Sequence, residues 1–321
     1  MTDPTEPLAA ATAAVDVLAG ERRRLLNIGY RLLGSLAEAE DVVQETYARW
    51  YAMSGEQQDA IASPAAWLTR VASRICLDVL GSARARRERY VGEWIPEPVP
   101  GGAEWLVGRP GVARAEAVDP ADRVTLDESV SMAFLVVLES MTPAQRVALI
   151  LHDVFEYPFT EVAAITGRTP AACRELASAA RRRLRDGRPA GAGNPSTGPS
   201  RAEQAALVRD FQHAWHARDL AALVALLDPA AVFTADGGGL ALTARQPIHG
   251  ATRIAEFLLD VARHIGPAVV LDEGLVNGRP GLLVREEGRI QGVYAFDVAG
   301  GRITRIWVVR NPEKLRPWAD R

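Results

Sequence analysis

The stretch "FTEVAAITGRTPAACRELASAARRRLR" (residues 159–185) decides the fold of its part of the chain, because it reads as two helices around a turn. A short helix up to Ile165 is followed by Gly167. Thr169 and Pro170 are then typical of the cap and the first residue of a second helix. The apolar residues of this second helix recur at helical spacing: Cys173, Leu176, Ala177, Ala180 and Leu184. The pattern predicts a helix-turn-helix.

Two groups of side chains fall outside that apolar face. The side chains near the start of a recognition helix face base edges in the major groove, and here these are Ala171, Ala172, Arg174, Glu175 and Ser178. Arg181 and Arg182 lie further along, where arginines suit phosphates. The stretch is also consistent with a solvated basic helix that ends a bundle, since the helix dipole favours arginine there.

The composition limits the classes of protein to consider. A chain of 321 residues with 48% hydrophobic residues is globular and long enough for two or three domains, and its net charge of -3 argues against indiscriminate coating of nucleic acid. Its two cysteines, far apart in sequence, give neither a disulfide framework nor a metal site. The first twenty residues do not resemble a signal peptide, and the apolar runs are too short to span a bilayer. We expect a cytoplasmic protein with no membrane contact.

Composition and periodicity divide the chain into five segments. Two helical segments are separated by a linker rich in proline and glycine, and a second, flexible linker precedes the last segment. That last segment begins with helices and ends with strand-like runs separated by turn signals such as Asn277-Gly278, which predicts an α+β domain with helices on one antiparallel sheet. The predicted boundaries are 20–91, 92–127, 128–186, 187–200 and 201–321.

The first helical segment carries a polar face and a basic helix. Ser35 and Glu38 form a capping-box signature before a helix whose outer face shows Asp41, Gln44, Glu45 and Arg49. Ser63 and Pro64 begin a second helix. Its arginines supply charge suited to a nucleic-acid backbone: Arg70, Arg74, Arg84, Arg86 and Arg87. Trp67 could stack on a base, but its spacing with Val71 favours packing in the core.

Three stretches together resemble the extracytoplasmic-function (ECF) sigma factors. They are "EAEDVVQETYARWY" (38–51), "SPAAWLTRVASRICLDVLGSARARRER" (63–89) and "MTPAQRVALILHDVFEYPFTEVAAITGRTPAACRELASAARRRLR" (141–185). The resemblance implies two all-α sigma domains, the second with a helix-turn-helix. It implies that residues near 41–50 bind core RNA polymerase through its beta and beta-prime subunits, and that 63–89 and 169–185 engage the −10 and −35 elements of promoter DNA. No catalytic residue, cofactor or metal is expected.

The last segment resembles the SnoaL-like fold, an α+β cone shared with ketosteroid isomerases, which a SigJ-like subgroup of sigma factors carries as a regulatory extension. "WIPEP" (94–98), "DGGGL" (236–240) and "NPEKL" (311–315) resemble three motifs of that subgroup, although Leu240 replaces its lysine. The expected interdomain residues are therefore Trp94, Ile95, Pro96, Glu97, Pro98, Asp236, Gly237, Gly238, Gly239, Asn311, Pro312, Glu313, Lys314 and Leu315. The glycine run is also consistent with a simple strand turn, and Trp94 with a local cluster.

The alternative is a SnoaL-like enzyme, or a sensor of a small-molecule ligand, tethered to a DNA-binding module. Folds of this kind use a buried carboxylate as general base, and the candidate residues are Asp210, His213, His216, Asp236 and His249. His213 and His216 have a spacing compatible with metal ligation, but no third ligand is identifiable, and a pair of ordinary half-buried histidines is favoured. A sigma factor needs core polymerase to act, whereas an enzyme does not.

Overall fold

The computed structural model describes residues 6–87, 90–101, 128–187, 200–264 and 269–319. Within these ranges the chain forms two compact units. The first contains residues 6–83 and 142–180, and the second contains 84–87, 90–101, 128–141, 181–187, 200–264 and 269–319. The units cut across the domains expected from the sequence, because residues 128–141 and 181–186 of the predicted 128–186 domain belong with the C-terminal segment, as do the described residues of the predicted linker.

The N-terminal helices begin where their capping residues predict. They are α1 (Glu6–Leu33), α2 (Leu36–Tyr51), α3 (Gly55–Asp59) and α4 (Pro64–Arg87). The Ser35 hydroxyl accepts a hydrogen bond from the Glu38 N–H (3.3 Å), and the Ser63 hydroxyl accepts one from the Ala66 N–H (3.3 Å). Each hydroxyl satisfies an N–H group that the first helical turn cannot pair internally. Both predicted helix starts are confirmed.

The rest of the first unit holds the helix-turn-helix. A helix α6 (Pro143–Leu149) continues through one π-helical turn (Ile150–Val154) and is followed by α7 (Phe159–Thr166) and α8 (Pro170–Asp186). The part of α8 from residue 181 onward belongs to the second unit. Gly167 joins α7 to α8 at φ 67°, in the left-handed region that glycine adopts without strain. The Thr169 hydroxyl accepts from the Ala172 N–H (3.2 Å). The predicted turn and second helix are confirmed.

The second unit is built on one six-stranded sheet. Its elements in chain order are α5 (Met132–Glu139), α9 (Arg201–His216), α10 (Leu220–Leu226), β1 (Leu227–Asp236), β2 (Ile248–His249), α11 (Ala251–His264), β3 (Val269–Val276), β4 (Arg279–Glu286), β5 (Arg289–Ala299) and β6 (Arg302–Val309). The strand order is β2-β1-β6-β5-β4-β3. β1 pairs with β6 in parallel, so the expectation of a purely antiparallel sheet is wrong at this pair. Between these two strands the chain forms α11 and four other strands, and this long crossover brings β6 back alongside β1 in the same direction.

Both faces of the sheet are buried. Alternate residues of β5 and β6, such as Phe296 and Ile306, face a core shared with α9, α10 and α11. Their neighbours Ala295 and Trp307 face the opposite way, into an outer-face cluster that also contains Ile95, Met132 and Trp318. Alternation along a strand explains why consecutive residues enter different cores. The outer-face cluster thus joins the linker, α5 and the C-terminal segment on one surface.

The predicted hairpins have the backbone that their turn residues favour. Asn277 and Gly278 have φ 52° and 71°, and Glu287 and Gly288 have φ 49° and 79°. Positive φ at both central residues is typical of the two-residue turns that match the twist of antiparallel strands. These two turns join β3 to β4 and β4 to β5, as expected from the sequence.

Candidate functional sites

The polar face of α2 is exposed as predicted. Asp41, Gln44, Glu45 and Arg49 are all exposed, while the opposite face buries Val42, Val43, Thr46 and Trp50. Arg49 Nε lies 2.8 Å from Glu45 Oε1, and both side chains remain about half exposed. Surface pairs of this kind contribute little to stability. The face therefore presents charge and hydrogen-bonding groups without being needed for the helix itself.

On α4 the structure separates the predicted DNA-binding arginines. Arg70 is exposed, whereas Arg74, also exposed, donates from Nη2 to the Ala164 carbonyl of α7 (2.7 Å). Arg84, Arg86 and Arg87 lie on the last turns of α4, in the stretch whose side chains fall outside the described residues. Trp67 packs edge-on against Trp50, with ring centroids 5.3 Å apart. This contact supports core packing for Trp67.

The recognition helix α8 exposes most of its predicted residues. Ala171, Arg174, Glu175 and Arg182 are exposed, and Ala172, Ser178 and Arg181 are half-buried. The Arg174 guanidinium lies 5.5 Å from the centroid of the Phe159 ring, a cation–π distance. Cys173, Ala177 and Ala180 are fully buried. The helix is held by its apolar stripe and presents a polar surface that begins at its N-terminus.

Within the first unit, the helix-turn-helix segment packs directly on the N-terminal helices. Arg146 is 2% exposed and donates from Nη1 to the Leu32 carbonyl (2.9 Å), in the last turn of α1, where the helix dipole favours a cation. Burial lowers the pKa of Arg146 to about 10. The Tyr157 hydroxyl donates to the Thr69 hydroxyl of α4 (3.0 Å). These contacts were not predicted from the sequence, since no local pattern marks them.

The three short motifs meet at one buried carboxylate in the second unit. Asp236 has no exposed surface. Its Oδ2 accepts from Lys314 Nζ (2.7 Å) and the Ile95 N–H (3.0 Å), and its Oδ1 accepts from the Tyr90 hydroxyl (2.7 Å) and the Gly238 N–H (3.0 Å). Four donors satisfy the buried charge. Burial, followed by the hydrogen bond to Asp236, raises the pKa of the Tyr90 hydroxyl, which therefore stays protonated as a donor.

Lys314 completes this cluster. Besides the carboxylate, its ammonium donates to the Ile95 carbonyl (2.5 Å) and lies 4.2 Å from the Trp94 ring centroid and 4.9 Å from that of Tyr90. The ring faces and the two oxygens compensate for the loss of water around the cation. We call Tyr90, Trp94, Ile95, Asp236, Asn311 and Lys314 the docking cluster; Asn311 joins it by donating to the Tyr90 hydroxyl (2.7 Å).

The glycine run fits a close approach of backbone. A Cβ at Gly238, where φ is 60°, would lie 2.4 Å from the Asn311 amide, and a Cβ at Gly237 would lie 2.3 Å from the Ala241 carbonyl. The run is therefore more than a simple turn, because a side chain at Gly238 would displace Asn311 of the docking cluster. Leu240 is 66% exposed, and the ion pair with Asp236 is made by Lys314 instead.

The linker continues along the sheet beyond the docking cluster. Trp318 Nε1 donates to the Pro98 carbonyl (2.8 Å), and Pro100 forms an antiparallel bridge with Val276 of the edge strand β3. Asn277 hydrogen bonds to the Val99 backbone. Tyr90, Asn277 and Trp318 were missed by sequence reasoning. For Trp318 the sequence does hold a signal that could have been used, namely a large aromatic residue among the polar residues near the end of the chain.

The candidate catalytic residues of the enzyme alternative do not converge. Asp210, His213, His216 and His249 are exposed, so the expectation of half-buried histidines is wrong. Asp236 belongs to the docking cluster. No group of three metal-ligating side chains occurs among the residues that the structure describes. A groove of about 290 Å³ lies beside the start of α11 and is lined mainly by apolar groups, with His249, Thr252, Arg253 and Arg302.

None of the described helices is both long enough and apolar enough to cross a membrane.

The family models of Sigma-70 region 2 and Sigma-70 region 4 match residues 18–87 and 131–184. The ECF RNA polymerase sigma factor SigJ of Mycobacterium tuberculosis is 37% identical over 92% of this chain and 90% of its own. The probable factor SigI of the same species is 34% identical over 97% and 96%. The crystal structure of SigJ matches with a TM-score of 0.69 at 34% identity, covering 95% of this chain and 98% of that one.

Proposed function

We propose that this chain, which belongs to the ECF RNA polymerase sigma factors, is regulated in cis by its own C-terminal domain. As a member of that family it directs promoter-specific transcription initiation as a non-catalytic subunit of RNA polymerase. The C-terminal domain, of SnoaL-like α+β fold, acts by docking the linker that joins region 2 to region 4. The docking cluster is the observation that carries this proposal.

The energetics support a stable dock. Ile95 is 1% exposed and Trp318 is 2% exposed, in a cluster that also buries Trp307. Removing side chains of this size from water contributes roughly 1.5–3 kcal/mol each. The ion pair between Asp236 and Lys314 adds a requirement for exact placement, because either charge left alone in this buried site is costly.

The exposed surfaces of the sigma regions are assigned as follows. The outer face of α2, from Asp41 to Arg49, binds core RNA polymerase through its beta and beta-prime subunits. The arginines of α4 engage the −10 element, and α8 enters the major groove at the −35 element. These assignments are supported by the exposure of α2 and α8 and by their match to the family models. Contacts of Arg174 with a base edge would specify sequence, and those of Arg182 with phosphate would not.

Replacing Arg174 by alanine tests the assignment of α8. If Arg174 reads a base, the variant loses about 1–3 kcal/mol of binding and its preference relaxes at one position of the −35 element. Transcription by reconstituted holoenzyme on a library of −35 variants measures this change. Arg182→Ala is the matched control on the same helix, with a loss expected to be uniform across sequences. A uniform loss for Arg174→Ala as well would contradict base reading by this residue.

The dock itself is tested with the single lysine of the chain. Lys314 is the only lysine, so an amine-reactive reagent reports on its exposure without interference from other side chains. We expect slow modification of the native protein and at least about tenfold faster modification of Asp236→Asn, because the amide no longer holds the ammonium by charge. The control is Asp260→Asn, which replaces an exposed carboxylate on α11 and should leave the rate of Lys314 modification unchanged.

Regulation is then measured with the same variants. Transcription by the full-length chain with core polymerase is compared for the native protein, Asp236→Asn and Asp260→Asn. More transcript from Asp236→Asn means that the dock inhibits, and less means that it assists. Equal transcription, with Lys314 shown to be reactive in the variant, would contradict regulation by docking. The groove beside α11 is the candidate site for a small-molecule regulator of the domain, and binding of such a ligand should alter the rate of Lys314 modification.

A further inference from the structure

A single side chain of the C-terminal domain contacts the backbone on both sides of residues 100–129, which lie between regions 2 and 4. Asn277 Oδ1 accepts from the Val99 N–H (3.1 Å), and Asn277 Nδ2 donates to the Val130 carbonyl (2.8 Å). The N–H of Asn277 donates to the Val99 carbonyl (2.9 Å). Asn277 is 1% exposed, so these bonds are shielded from water. Residues 99 and 130 are thereby brought to one amide group.

The position suits this double contact. Asn277 is the first residue of the β3–β4 turn at φ 52°, a conformation that asparagine tolerates better than most residues. On one side of it the linker extends the edge of β3, with the Gly101 N–H donating to the Leu275 carbonyl (2.7 Å). On the other side Met132 of α5 enters the outer-face cluster. A side-chain amide carries both an acceptor and a donor, so it can serve both ends at once.

Closing these two ends together limits how far region 4 can move from region 2. The −10 and −35 elements lie about 25 base pairs apart, which is roughly 85 Å of duplex at 3.4 Å per pair. Within the first unit the two regions are in direct contact, through Arg146 and Leu32 and through Tyr157 and Thr69. They must separate to reach both elements. Residues 100–129 can extend on the order of 100 Å, but they add no reach while both of their ends are held at Asn277.

We propose that Asn277 is a clasp on the linker, a positioning residue that must release Val130 before the protein can engage both promoter elements at once. The proposal rests on the proposed docking of the linker and adds to it the residue that controls reach. The clasp acts on the connection between the two DNA-binding regions and leaves each region's own surface unchanged. Its effect is therefore specific to promoters that need both elements.

Asn277→Asp opens one end of the clasp. The carboxylate keeps the shape of the side chain and accepts from the Val99 N–H, but it cannot donate to the Val130 carbonyl. Holoenzyme with the full chain is assayed on a promoter with both elements and on a pre-melted template that carries only the −10 element. We expect the ratio of the two transcript yields to rise about 3- to 10-fold, as for loss of one hydrogen bond. Asn277→Gly, which loses both side-chain bonds, should change the ratio in the same direction.

The matched control is Glu287→Asp, in the β4–β5 turn of the same backbone conformation. It should leave the ratio unchanged. Hydrogen exchange gives an independent readout: in Asn277→Asp, exchange should increase in the segment around α5 while the amides of Val99 and Gly101 stay protected. An equal fall of transcription on both templates would reduce Asn277 to a structural residue and overturn the clasp.

An unchanged ratio, with faster exchange around α5, would also overturn it. The comparison with Asp236→Asn separates the two proposals. If Asp236→Asn alters transcription and Asn277→Asp leaves the ratio unchanged, regulation by docking stands and the clasp fails. If neither variant has an effect although Lys314 is exposed in Asp236→Asn, both proposals fail.

Discussion

Lys314→Met is expected to release the linker from the C-terminal domain, with a loss of about 3–5 kcal/mol in the free energy of the dock. Methionine fills much of the same space but leaves the Asp236 carboxylate, which has no exposed surface, without its cation. It also removes the cation from the faces of Trp94 and Tyr90. The remaining donors of Tyr90, Ile95 and Gly238 do not balance the charge.

The Ile95 amide reports this loss directly, because it donates to Asp236. Its protection against hydrogen exchange should fall by about 10²–10⁴, the factor that corresponds to the expected free energy. The double variant Asp236→Asn with Lys314→Met removes both charges and should recover part of the protection. Equal protection in Lys314→Met and the native protein would mean that the ion pair does not hold the linker.

Trp318→Ala is expected to lower the free energy of unfolding by about 3–5 kcal/mol. Trp318 is 2% exposed in the outer-face cluster, and its indole N–H donates to the Pro98 carbonyl. Alanine leaves a cavity against the sheet and a carbonyl without this donor. The linker and the C-terminal segment should therefore loosen together.

Denaturant unfolding of the full chain, with Lys314 modification as a second readout, measures the effect. Trp318→Phe keeps most of the volume and loses only the donor, so its cost should be smaller, about 1–3 kcal/mol. Leu242→Ala, at a site 90% exposed, should be silent. A cost for Trp318→Ala no larger than that of Leu242→Ala would show that the C-terminal segment does not support the dock.

Elements fixed by local chemistry were predicted correctly. The starts of α2 and α4 follow from serines that cap the first turn, and the joint of the helix-turn-helix follows from Gly167 and Thr169. The hairpin at Asn277 follows from a residue pair that favours positive φ. In each case the residues that give the signal lie within a few residues of the element they predict, so the local sequence is sufficient for the prediction.

Contacts between distant segments were not predictable in this way. The parallel pairing of β1 with β6, the hydrogen bond from Arg146 to the Leu32 carbonyl and the double role of Asn277 each join residues with no shared local pattern. The three docking motifs were found through resemblance, and only the structure shows that they share one carboxylate. It also shows that Leu240 lies on the surface and that Lys314 makes the ion pair with Asp236, so the site keeps an ion pair without a lysine at position 240.

The linker and the sheet face that buries it belong to one chain, and this affects how the dock responds to the amount of protein in the cell. The surface that receives the linker is covalently attached to it, so the two meet at an effective concentration set by the chain rather than by expression level. A separate inhibitor can be outnumbered when a cell makes more of its target. Under the proposed regulation every copy carries its own dock in fixed one-to-one proportion, so a change in expression level does not change the ratio of dock to linker.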